Sequence, residues 1–93
     1  MKADGEVWNN TAASRYECTI DGHVSVADYQ LADGVMALTH TVVPPELRGR
    51  GVAEKLVRAA LADARAGELK VTPACSYVAV FIQRHAEFQD LVA

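Results

Sequence analysis

The feature that most constrains this chain is an abrupt change of hydrophobic period at Pro44-Pro45. Before the prolines, "RYECTI" (15–20) and "HVSVADYQL" (23–31) alternate, as strands with one buried face do, and "VMALTHTVV" (35–43) follows as a third strand. After them, Val52, Leu56, Val57, Ala60, Leu61 and Ala64 recur at spacings of three and four, with Glu54, Lys55, Arg58, Asp63 and Arg65 opposite. That is the pattern of an amphipathic helix, and Gly67 is a natural stop for it. Two turn signals, Asp21-Gly22 and Ala32-Asp33-Gly34, cut the first region into an antiparallel meander over 14–20, 23–31 and 35–43. Pro44 ends the third strand because proline cannot donate to a ladder.

The stretch "LKVTPA" (69–74) reads as a fourth strand, which the helical crossover makes parallel to the third. A second helix is expected over 76–85, with Tyr77, Val80 and Phe81 on one face. Residues 1–13 are polar and read as a frayed lead-in or a short edge segment. The class is α+β: a mixed sheet, three antiparallel strands plus one parallel strand, with two helices packed on it.

Ninety-three residues leave room for one core, so residues 1–93 are expected to form one domain. Hydrophobic residues at 51% and charged residues at 23% describe a globular chain, not a disordered one. A net charge of −3 with no basic run argues against a nucleic-acid partner. Residues 1–17 lack the apolar core of a signal peptide, and no apolar run approaches the roughly 20 residues of a membrane span. A cytoplasmic protein without a membrane partner is the expectation, its Cys18 and Cys75 kept as thiols by a reducing compartment. No Cys/His set has metal-ligand spacing, so no metal is expected.

The helix opens from "PPELRGRGV" (44–52). Gly49 and Gly51 let backbone N–H groups turn outward, the helix N-terminus adds a partial positive charge, and Arg48 and Arg50 supply forked donors. Such a junction suits a phosphate-bearing ligand. The plainer alternative is that the glycines only make a turn and the arginines are solvated. A P-loop needs a Gly-Lys pair that is missing here, and a Rossmann fingerprint needs a small residue where Glu54 stands.

A strand and a proline, then Arg48-Gly49-Arg50-Gly51-Val52-Ala53 opening an amphipathic helix, resembles the acetyl-CoA-binding motif of the GNAT N-acetyltransferase superfamily. The blocks "HTVVPPELRGRGVAEKLV", "VTPACSYV" and "FIQRHAEFQDLV", in that order, resemble the small Yjdj-type N-acetyltransferase family from about Glu6 onward. The resemblance implies a minimal GNAT-like fold lacking the C-terminal strands of ordinary members. It implies acetyl-CoA or CoA held by the amides of the 48–53 loop, an unidentified amine acceptor, and a monomer or weak homodimer. With those strands missing, the acceptor half is expected to be minimal or to come from another subunit.

Acetyl transfer needs a neutral amine, a polarised thioester carbonyl and a proton for the departing thiolate. The resemblance points to a backbone N–H of Val42 or Val43 as the polarising group, and implies that Val42 replaces a carboxylate found in many relatives. His40, in phase with Met36, Leu38 and Val42, reads either as a packed core histidine or as a base, since histidine titrates near neutrality. Cys75 precedes a helix N-terminus, which favours the thiolate, so it reads as an acetyl-accepting nucleophile or as a small buried residue. Tyr77 is a candidate proton donor to the CoA thiolate, or a packing residue. Arg84 is a candidate CoA-phosphate ligand, and neither Cys18 nor His23 is assigned a function. The expected activity is acetyl-CoA-dependent N-acetyl transfer, direct or through a Cys75 thioester. The alternatives are a non-catalytic CoA-binding module and a structural domain that has lost CoA.

Overall fold

A computed structural model describes residues 2–93. Its strands are β1 (Val7–Asn10), β2 (Arg15–Ile20), β3 (His23–Ala32), β4 (Val35–Val42) and β5 (Lys70–Pro73). Two helices, α1 (Val52–Ala66) and α2 (Ser76–Arg84), follow β4 and β5, and short 3-10 helices occupy Pro45–Leu47 and Ala86–Leu91. The five strands lie in sequence order in one sheet. Pairs β1–β2, β2–β3 and β3–β4 are antiparallel, and β4–β5 is parallel. The mixed α+β architecture is the expected one, with one strand more. The edge segment β1 has almost no apolar pattern, and Tyr29 and Glu17 tie it in through hydrogen bonds from Tyr29 to Asn9 and from Asn10 to Glu17.

One face of the sheet carries Tyr16, Cys18, Ala27, Tyr29, Met36, Leu38 and Val71, all buried. Helix α1 seals that face with the six apolar residues its periodicity marked, Val52 through Ala64, none more than 2% exposed. Their burial is the main drive for the fold, at roughly 25 cal/mol for each Å² removed from water. Helix α2 differs from expectation. It buries Val78, Phe81 and Ile82, while Tyr77 and Val80 are 40% and 43% exposed. The helix is thus rotated from the expected face. No described helix is long and apolar enough to cross a membrane.

Strand β4 carries the one irregularity that governs the site. Its register with β3 passes from Asp28↔His40 to Tyr29↔Leu38, so Thr39 is left without a partner, as a bulge. A bulge shifts the alternation by one residue. Met36 and Leu38 face the core, but His40 and Val42 are exposed on the opposite face. The in-phase expectation for His40 is therefore corrected: it is not a core histidine and does not share a face with Leu38.

Candidate active site

The loop between β4 and α1 is anchored by Leu47, which is buried at 1% exposure. Beyond it Gly49 and Gly51 take φ of 80° and 75°, in the left-handed region that glycine alone enters without strain. Gly51 caps α1 with no side chain bonding the first amides, so the N–H groups that open the helix remain available to an anion. A Cβ built on either glycine would meet nothing within 4 Å, so the space beside this backbone is open. It belongs to a cavity of about 250 Å³ lined by Val43, Arg48, Gly49, Gly51, Val52, Ala53 and Tyr77, among others. A second depression of about 310 Å³ shares Val43, Arg48, Ala53 and Tyr77 with the first, and adds Thr41 and Val42.

This second depression lies where β4 and β5 part. Their pairing ends at Leu38↔Pro73, and the N–H of Cys75 then reaches the Leu38 carbonyl at 2.9 Å. Past that bond the chain turns into α2, while β4 continues through Val42 without β5, paired only with β3. Cys75 is the residue before α2, and its Sγ lies 3.7 Å from Thr41 Oγ1. Burial alone would push this thiol up, but the Val78 amide, the Thr41 hydroxyl and the Tyr77 amide favour the charged form. The net direction is below the ordinary cysteine value. Tyr77 goes the other way: burial and then the Glu54 carboxylate raise its phenol, against the pull of Arg58. The second depression is thus lined by a phenol biased toward its protonated form and by Thr41, which touches a thiol biased toward thiolate.

The sequence matches the model of the GCN5-related N-acetyltransferase family over residues 15–91, most of its length. The chain belongs to that family. Its fold is similar to the solution NMR structure of a "GCN5-like putative N-acetyltransferase" from Staphylococcus aureus, at 24% identity and a TM-score of 0.78. The similarity covers 99% of this chain and 91% of the other.

Within this N-acetyltransferase fold the expected site residues divide into two groups. Val42, Val43, Arg48, Gly49, Gly51, Val52, Ala53 and Tyr77 line the two depressions, and Cys75 meets Thr41 at the second one. Arg50 turns away, with its guanidinium 3.8 Å from Asp21 on the β2–β3 turn. His40 faces the outer side of the sheet, in a separate depression with Asp28 and Thr39. Arg84 is exposed at the end of α2, and His23 lies 3.8 Å from Glu46. Thr41 was not singled out by sequence reasoning. Nothing in a strand's alternation reveals that a bulge has turned it toward Cys75. Among the described residues no group of three His, Cys, Asp or Glu side chains is placed to hold a metal.

Proposed function

We propose that this protein is an acetyl-CoA-dependent N-acetyltransferase of the small Yjdj type, with Cys75 as the acetyl-accepting nucleophile. The observation that carries this reading is the contact of the Cys75 thiol, favoured as thiolate, with Thr41 of the depression that also takes in Arg48 and Ala53 at the uncapped start of α1. The cradle fits CoA. Two left-handed glycines leave room for a pyrophosphate against bare amides, and Arg48 lines both depressions. When bound, acetyl-CoA supplies an activated acyl group, a thioester carbonyl with a good leaving group.

The protein's own residues supply the rest. The role of polarising the acyl carbonyl falls, as the family resemblance implies, to a backbone N–H of Val42 or Val43. The Cys75 thiolate forms the new S–C bond as the C–S bond to CoA breaks, and the protonated Tyr77 hydroxyl is the donor beside the departing sulfur. A neutral amine then attacks the acetyl-Cys75 carbon, the thiolate of Cys75 leaves, and the surplus amine proton passes to the Tyr77 phenolate, restoring the donor. A second reading, direct attack by the amine on the donor, has support in the geometry too, since Tyr77 and the β4 backbone would serve both routes. In either case the free Cys18 and Cys75 suit a reducing cytoplasm.

Mixing the protein with acetyl-CoA alone and quenching in acid is the test. One added acetyl group, mapped to Cys75 by mass spectrometry and removed by hydroxylamine, is expected. Cys75→Ala should lose both the label and transfer to a panel of amines. Full transfer by Cys75→Ala would overturn the covalent route and leave the direct one. CoA binding with no transfer by the wild type to any amine would make the protein a binding module.

A further inference from the structure

The cavity beside the glycine loop is not lined by positive charge alone. Its charged side chains are Arg48 and Glu54, while Arg50 is turned to Asp21. A carboxylate in a depression that suits phosphate needs a physical account. Glu54 is the third residue of α1, counted from the Gly51 cap. A glutamate there commonly folds back and accepts from the cap N–H, which relieves one of the amides a helix start leaves unbonded. Here the carboxylate is engaged elsewhere. Glu54 Oε2 accepts from Nε of Arg58, one turn further along α1, at 2.8 Å, and the first amides stay bare.

An exposed pair at this spacing is weak by itself. Aromatic rings fix this one. The Arg58 guanidinium carbon lies 5.2 Å from the centre of the Phe81 ring and 5.9 Å from that of Phe88. Phe81 is buried in α2 and stacks on Tyr77, which lines the same cavity as Glu54. Helix α2 and the C-terminal 3-10 helix thus hold Arg58, and Arg58 holds Glu54.

We propose that Arg58 is a positioning residue for the cofactor: it draws the Glu54 carboxylate off the amides that open α1 and balances its charge, so that a diphosphate can take those amides. The proposal rests on the acetyl-CoA reading above and deepens it. With Arg58 removed, the cavity would carry one arginine against one free carboxylate, beside amides which that carboxylate can cap. A helix start favours any nearby anion, its own included. The side chain would then compete with the ligand's phosphates at the high effective concentration that tethering gives.

The experiment has two arms. In ligand-free Arg58→Gln, amide NMR spectra should show the Gly51 N–H moving with a carboxylate titration as pH falls, because a capped amide loses its acceptor on protonation. That movement should shrink to the wild-type level in Arg58→Gln/Glu54→Gln. In calorimetric titration with CoA, Arg58→Gln should bind several-fold more weakly than wild type, and the double variant should recover wild-type affinity or better. The double variant also lacks the guanidinium, so its recovery separates competition by Glu54 from lost packing on the rings or a lost direct contact. Unchanged CoA affinity in Arg58→Gln would overturn the proposal. So would a double variant as weak as the single one, or a Gly51 amide in Arg58→Gln that titrates no more than in wild type. The amide titration needs no ligand, so its failure is distinct from failure of the cofactor reading. A wild type that binds no CoA would overturn that reading and this proposal with it.

Discussion

Gly51 holds φ 75° and ψ 17° at the point where an anion would approach. A side chain in that left-handed region costs about 1–2 kcal/mol, more for a β-branched one. A Cβ here would enter open space, not the core. Gly51→Val, being β-branched, is therefore expected to lower stability by at least about 1–2 kcal/mol while filling the cradle. Wild type should gain melting temperature on addition of CoA, as any protein does whose folded state alone binds a ligand. Gly51→Val should gain none. An undiminished CoA-induced shift in this variant would place the phosphate site elsewhere. Residues of this kind announce themselves in sequence because a glycine before a helix has few other uses. Arg50 shows the limit: the chemistry of an arginine is legible, but its direction is not, and here Asp21 claims it.

Elements are held to each other by a few long-range bonds, and the one that docks α1 on the sheet is Tyr16 to Asp63. The Tyr16 hydroxyl donates to Asp63 Oδ2 at 2.7 Å while the ring is 1% exposed. Burial first, then that hydrogen bond, raises this phenol well above the ordinary tyrosine range. A native value above the unfolded one means stability that is complete below about pH 10 and is lost as pH climbs toward the native value. Alkaline unfolding monitored by circular dichroism should begin above about pH 10 in the wild type, as unfolded phenols ionise. Tyr16→Phe should show a shallower loss there. At neutral pH it should cost about 0.5–1.5 kcal/mol by denaturant titration, since the exposed Asp63 recovers water as a partner. No cost at neutral pH would mean the bond is replaced without loss. At this scale the sequence was mostly readable. Periodicity located β2 to β5 and both helices because each buries one face. β1 escapes a periodicity reading because its backbone ladder with β2 and two side-chain hydrogen bonds, not apolar alternation, hold it. The bulge escapes a sequence reading for a sharper reason: "VMALTHTV" carries no glycine, proline or turn signal to interrupt it, and only the pairing with Asp28 and Tyr29 reveals the slip. The face of α2 was misjudged because Tyr77 and Val80 are apolar enough to pass for core.

Across the whole molecule, the C-terminal segment is the part fastened last. Arg65 grips Asp90 with two hydrogen bonds of 3.0 Å and the Glu87 carbonyl with one of 2.7 Å, and Lys70 reaches the Asp90 carbonyl at 2.9 Å. These hold Val92 beside Val71, so that the Ala93 N–H bonds the Val71 carbonyl at 2.9 Å. Arg65→Ala should speed amide exchange at Ala93 several-fold and leave β2 and β3 amides unchanged, and high salt should mimic it in the wild type. Equal protection at Ala93 in the variant would show that the clamp is dispensable. The same global view gives the parting of β4 and β5 a mechanical meaning. β1 to β4 form a plate stitched by antiparallel ladders, broken only at the Thr39 bulge, whereas β5 pairs with it along a four-pair parallel seam. Beyond the Cys75–Leu38 bond, no backbone hydrogen bond among the described residues crosses that seam. On the proposed reading, the edge of β4 beyond Leu38 is where an extended ligand adds to the sheet without breaking a ladder bond, because β5 has already left it.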